Sequence, residues 1–99
     1  MLKHLVEQTE QDIKPLKDKV DKIVENNQQR VLDAFIENRV SDSHFNPTTG
    51  YGYDDIGRDA LEAVYRDVFG GEDALVRPQI VSGTHAIATA LFGVLRPGD

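Results

Sequence analysis

The chain has 99 residues, 39% of them hydrophobic and 28% charged, with a formal net charge of -6 and no cysteine. This length gives one domain at most. The acidic balance excludes the basic face that nucleic-acid binding needs, and the lack of cysteine excludes a disulfide framework or a thiolate metal site. No apolar run approaches the ~20 residues that cross a bilayer, so the expectation is a cytoplasmic protein with neither membrane nor nucleic acid as a partner.

From Leu2 onward, apolar residues recur at Leu2, Leu5, Ile13, Leu16, Val20 and Ile23, with Thr9 filling one slot. Steps of three and four lay one stripe along a helix. Pro15 falls inside this pattern, and because it removes a donor and crowds the preceding turn, it either kinks the helix or starts a second one, with a boundary near Ile13 and Lys14 the favoured reading. After the polar "ENNQQR", the residues Val31, Leu32, Phe35, Ile36 and Val40 predict another amphipathic helix. Residues 1–40 are therefore read as an N-terminal helical segment. All five lysines (Lys3, Lys14, Lys17, Lys19 and Lys22) lie in it, which reads as a solvated face.

Residues 41–55, "SDSHFNPTTGYGYDD", break all periodicity with Asn-Pro, paired threonines and glycines, and predict an ordered loop. Residues 56–99 form the third part. It begins with a helix whose N-cap is Asp54 or Asp55, whose stripe is Ile56, Leu61, Val64, Tyr65 and Val68, and whose C-cap is Gly70-Gly71. The run "ALVRPQIV", residues 74–81, has the length and β-branched content of a strand, at an edge because Pro78 lacks a donor. A second helix follows from about Thr84 to Leu95, apolar on nearly every face, and "RPGD" closes it as a turn.

A lone strand leaves its backbone groups unpaired, and so apolar a helix needs cover on more than one side. Together these predict the N-terminal piece of a larger α/β protein, completed by the remainder of the polypeptide or by oligomer partners.

Two stretches concentrate chemistry. A strand that turns through Ser82, Gly83 and Thr84 into a helix presents unpaired N–H groups at the positive end of the helix dipole, which is either a phosphate cradle or a plain helix cap. His85, in the first turn, would sit at the mouth of such a cradle, or be an ordinary hydrogen-bonded histidine. In the loop, Tyr51 and Tyr53 point the same way if extended, and Arg58 lies one turn into the next helix. These three either converge on an anion, or form a packed loop in which Arg58 pairs with Asp54, Asp55 or Glu62. His4, His44 and His85 have no ligand-like spacing, so no metal site is assigned.

The strings "NNQQRVLDAF", "NRVSDSHFNPTTGYGYDDIGRDALE" and "EDALVRPQIVSGTHAIATALFGVLRPGD" resemble the N-terminal part of the methionine gamma-lyase family, also described as cystathionine beta-lyase-like proteins involved in aluminium resistance. The resemblance runs from about Asn26 to Asp99. It implies a pyridoxal-phosphate enzyme of fold type I, an α/β architecture in which this chain supplies N-terminal helices plus the first strand and helix of the large domain. The implied reaction is carbon–sulfur elimination from an amino-acid substrate, in a homodimer or homotetramer.

Under this resemblance, Ser82, Gly83 and Thr84 take the position of the corner that binds the cofactor phosphate. Tyr51 and Tyr53 fall where related lyases send a tyrosine and an arginine into a neighbouring subunit's phosphate site. The arginine has no counterpart there, and Arg58 is the candidate replacement. The Schiff-base lysine of the fold comes later in such chains, and no lysine follows Lys22. The chain alone is thus expected to be inert, with a non-catalytic helical interaction module as the competing reading.

Overall fold

A computed structural model describes residues 1–53 and 55–99. Three α-helices, α1 (Leu2–Glu37), α2 (Ile56–Phe69) and α3 (Gly83–Val94), and one 3-10 helix (Asp42–Phe45) make up the regular structure among them. The chain divides into two compact units, Met1–Val40 and Ser41–Asp99.

The first unit is α1 and its C-terminal cap. Contrary to the boundary expected near Pro15, the helix runs unbroken through that residue and through "ENNQQR". Pro15 removes the donor that would have met the Gln11 carbonyl. Both residues are exposed, so water can serve that carbonyl, and the cost is met without breaking the helix. The amides and Glu25 that looked like a spacer are tolerable helix formers. At the end, Arg39 adopts a left-handed φ of 50°. Its N–H reaches the Ile36 carbonyl while the Val40 N–H reaches that of Phe35, closing a Schellman motif. The Asn38 side chain also donates to the Ala34 carbonyl at 2.8 Å.

In the second unit the 3-10 helix packs against α2. Gly57 makes that approach possible: a Cβ there would clash with the carbonyl oxygen of His44. Helix α2 ends as its sequence predicts, at Gly70 in the left-handed region with φ 68°. Val64 on α2 is buried, and Tyr65 and Phe69 bring their rings within 5.8 Å.

Residues 74–81 do not form the expected strand, and no strand occurs among the described residues. The segment has no second strand to pair with, and Pro78 supplies no donor. It is instead tied to α2 by Glu62, whose carboxylate accepts the Val76 N–H at 3.3 Å and grips the Arg77 guanidinium at 2.6 and 3.2 Å. A turn then closes through Ile80 N–H to the Arg77 carbonyl at 3.1 Å. The regular structure of the described residues is thus helical, and the strand expected at residues 74–81 is the part of the reading that is corrected. Beyond α3, Arg96 to Asp99 form a turn in which the Asp99 N–H meets the Arg96 carbonyl and the Asp99 carboxylate accepts the Arg96 N–H at 2.6 Å.

Very little of the chain is withdrawn from solvent. Only Ala34, Val64 and Asp55 are buried among the described residues, while Ile87, Phe92 and Val94 on α3 stay exposed. No helix among the described residues is long and apolar enough to cross a membrane.

Candidate functional site

The corner at residues 82–85 is built by local chemistry. Ser82 holds an extended backbone (φ -159°, ψ 165°) and occupies the N-cap of α3. Its hydroxyl oxygen accepts the His85 N–H at 3.1 Å, satisfying one of the helix's orphan donors. The His85 ring turns back and accepts the Val81 N–H at its Nδ1, at 3.2 Å. A backbone N–H can only donate, so this nitrogen carries no proton and the neutral ring holds its hydrogen on Nε2.

Two further donors of the first turn, the N–H groups of Gly83 and Thr84, meet no acceptor among the described residues. Nothing lies within 4 Å of where a Gly83 Cβ would stand. The corner is thus a capped helix start that keeps two N–H groups free beneath open space. Both features suit a phosphate: free donors at the positive end of a helix, and a glycine that lets a ligand approach the backbone. Sequence reasoning treated cap and cradle as alternatives, yet the Ser82 cap uses the His85 N–H and leaves the other two donors available.

The loop before α2 is organised around Asp55. This residue stands at the N-cap of α2, as one of the two aspartates was expected to, but its carboxylate makes no cap bond to the helix. Asp54 lies outside the described residues. The Asp55 Oδ2 instead accepts the Gly52 N–H at 2.7 Å. Burial pushes this carboxyl upward in pKa, but the hydrogen bond from the Gly52 N–H, the nearby Thr48 hydroxyl and Gly50 N–H dipoles and the Arg58 charge together outweigh it and hold it below the usual carboxylate range.

Gly50 and Gly52 have φ of 80° and 85°, the left-handed region that lets the loop curl around the carboxylate so that the Gly52 N–H meets it. Tyr51 and Tyr53 are correspondingly thrown outward and are exposed. Arg58 is mostly buried in the same loop, its Nε donating to the Thr48 hydroxyl at 3.2 Å and lying 3.9 Å from Asp55 Oδ1. Of the two readings for "YGYDDIGRD", the geometry brings Arg58 to Thr48 and Asp55 and leaves the two phenols free. Glu62, the other proposed partner of Arg58, is engaged by Arg77.

His44 repeats the corner's device at the 3-10 helix: the Ser41 N–H donates to its Nδ1 at 2.9 Å. "SDSH" and "SGTH" are thus two Ser-x-x-His helix starts, a pattern visible in the sequence that spacing arguments for metal ligands passed over. No group of three or more His, Cys, Asp or Glu side chains gathers in metal-binding geometry among the described residues.

The methionine gamma-lyase family model matches residues 2–99. The chain belongs to that family. Within it, the chain is 60% identical over 99 residues to the Bacillus subtilis protein YnbB, which is described as uncharacterized, covering 100% of this chain and 24% of that protein.

Solved structures agree. A Listeria innocua protein described as a candidate cystathionine beta-lyase involved in aluminum resistance superposes with a TM-score of 0.91 at 63% identity, covering 100% of this chain and 24% of that one. A Clostridium novyi protein, described as a carbon-sulfur lyase involved in aluminum resistance, gives a TM-score of 0.85 at 54% identity, covering 97% and 23% respectively. The chain therefore spans about a quarter of the length of these relatives, and corresponds to their N-terminal part. Membership of the methionine gamma-lyase family covers α1 too, which the resemblance read from sequence matched only in character.

Proposed function

We propose that this chain is the N-terminal part of a pyridoxal-phosphate-dependent carbon–sulfur lyase of fold type I, acting on a sulfur-containing amino acid, and that residues 82–84 hold the cofactor phosphate. The observation that carries this reading is the corner itself: the free N–H groups of Gly83 and Thr84 at the start of α3, with open space above Gly83. The names of the family's solved members support the lyase chemistry.

The bound cofactor would supply an electron sink for a substrate carbanion. This chain's own residues have a narrower task. The N–H groups of Gly83 and Thr84 donate to phosphate oxygens, and the α3 dipole favours their charge. Ser82, its oxygen fixed by the His85 N–H, still has a hydroxyl hydrogen to donate. His85, held at Nδ1 by Val81, offers its Nε2–H. Tyr51 and Tyr53 stand on the Asp55-anchored loop as exposed phenols suited to a neighbouring subunit's phosphate, while Arg58 fixes the shape of that loop. Residues 74–81 would become a strand once the remainder of the large domain offers a sheet to join. With no lysine after Lys22, turnover needs a lysine from outside this chain.

The test uses a family-length protein that contains this chain. Gly83→Val places a branched side chain in the phosphate's approach, and a several-fold loss of pyridoxal phosphate from the purified protein is the expected result. Unchanged cofactor content with intact folding would overturn the assignment of the corner. For the chain alone, pyridoxal phosphate followed by borohydride gives no single stoichiometric lysine adduct, and finding one would contradict the reading.

A further inference from the structure

Helix α1 carries a pattern that the phosphate corner does not explain. From Leu2 to Asn27 one set of residues, Leu2, Val6, Thr9, Ile13, Leu16, Val20, Ile23 and Asn27, advances by alternating steps of four and three. This is a heptad repeat in which Val6, Ile13, Val20 and Asn27 take position a and the others position d. The structure leaves this seam open: Ile13, Leu16, Val20 and Ile23 are between 38% and 65% exposed.

We infer that α1 pairs in parallel and in register with α1 of a second copy of this chain, as a two-stranded coiled coil. Three observations select this occupant over an unspecified apolar partner. First, every apolar a residue is β-branched and Leu2 and Leu16 stand at d, the combination that favours two parallel strands. Second, Asn27 falls at an a position and its side chain has no hydrogen-bond partner among the described residues. Two such asparagines facing each other across a two-fold axis would bond together, which fixes both register and strand number.

Third, the flank of the seam carries one complementary charge pair. The intrahelical pairs Lys14–Asp18 and Lys22–Glu25 sit at outer positions b, c and f, and Pro15 is at c, away from the seam. Flanking the seam, Asp12 at g lies opposite Lys17 at e of the following heptad in the second copy, an opposite-charge pair made twice by symmetry. Lys17 has no ion-pair partner among the described residues. The single polar d residue also fits, because the Thr9 hydroxyl donates to the Leu5 carbonyl at 2.8 Å and leaves its methyl group for the seam.

The chain's lack of cysteine makes a direct test possible. Single substitutions Val20→Cys, at a, and Glu25→Cys, at f, are introduced into the full 99-residue chain and oxidised with a glutathione couple. Val20→Cys is expected to form a disulfide-linked dimer and Glu25→Cys to remain unlinked. Sedimentation equilibrium of the unmodified chain should show a reversible dimer. Lys17→Glu should raise its dissociation constant several-fold, and Asp12→Lys added to Lys17→Glu should restore it. Circular dichroism checks that each variant keeps its helix content.

A monomer at all concentrations would overturn the proposal. So would a dimer in which Val20→Cys does not cross-link, or a charge reversal that the second substitution fails to rescue.

Discussion

Gly57 lies against the carbonyl of His44 so closely that a Cβ on it would clash with the carbonyl oxygen. This contact sets how near the first turn of α2 comes to the 3-10 helix, and it involves backbone on both sides, which cannot rotate out of the way. Gly57→Ala is therefore expected to destabilise the second unit by about 1–3 kcal/mol, as overpacking does, although alanine is the better helix former. Gly93→Ala, inside α3 with nothing within 4 Å of its Cβ, is the control, and should gain about 0.5–1 kcal/mol from propensity alone. Urea unfolding of both variants beside the parent chain checks the opposite signs.

Asp55 makes the loop before α2 sensitive to acid. Its carboxyl is held below the usual carboxylate range because the Gly52 hydrogen bond, its other polar neighbours and the Arg58 charge outweigh its burial. A carboxyl with a depressed folded pKa adds stability that is fully present above its unfolded pKa and lost as pH falls through its folded one. The stability difference between the parent chain and Asp55→Asn should thus be constant at neutral pH and shrink below about pH 4. A difference that persists unchanged to lower pH would show that the charge is not what organises the loop.

How far the sequence spoke depended on whether its signals were local. Helix α2 with its Gly70 stop and α3 with its Ser82 cap follow from periodicity and terminal residues, which act within a turn or two. Pro15 misled because the helix penalty is real but small beside the cooperativity of a 36-residue helix whose Gln11 carbonyl faces water. Residues 74–81 misled for the opposite reason. β-branched content states that a segment suits a sheet, and says nothing of whether a partner strand is present in the same chain.

The site divided in the same way. Ser82 as cap was readable from residue preference, whereas the role of Asp55 was not. It sits one residue before a helix and so reads as a cap, but the left-handed Gly50 and Gly52 curl the loop so that the Gly52 N–H claims its carboxylate. The grip of Glu62 on Arg77 spans fifteen residues and has no sequence signature at all.

That grip can be weighed directly. Glu62 and Arg77 are both partly shielded, and the carboxylate also takes the Val76 N–H, so removing it frees residues 74–81 from α2. Glu62→Ala should lower stability by about 1–2 kcal/mol, within the range for hydrogen bonds to charged groups. In a double-mutant cycle with Arg77→Ala, the coupling is expected to be on the order of 1 kcal/mol. Hydrogen exchange should show faster exchange at Val76 in Glu62→Ala than in Arg77→Ala, since only the former removes its acceptor.

The two Ser-x-x-His starts make a prediction about where protons sit. At His44 and His85 a backbone N–H donates to Nδ1, so the neutral rings must both carry hydrogen on Nε2. Two-bond nitrogen–proton correlation spectra of the neutral protein distinguish the tautomers, and a protonated Nδ1 at either residue would contradict the bond drawn to it. The cap at α3 has an energetic counterpart: Ser82→Ala removes the acceptor of the His85 N–H and should cost about 1 kcal/mol, seen as faster amide exchange in the first turn of the helix. Ser82→Asp, which restores an acceptor and adds a charge favoured by the helix dipole, should recover that protection. The same variant in a family-length protein should lose pyridoxal phosphate, because a carboxylate at the corner repels the phosphate that the free N–H groups of Gly83 and Thr84 are proposed to bind. A gain in helix protection together with a loss of cofactor would separate the two roles of this corner, since a residue acting as a cap alone would move only the first.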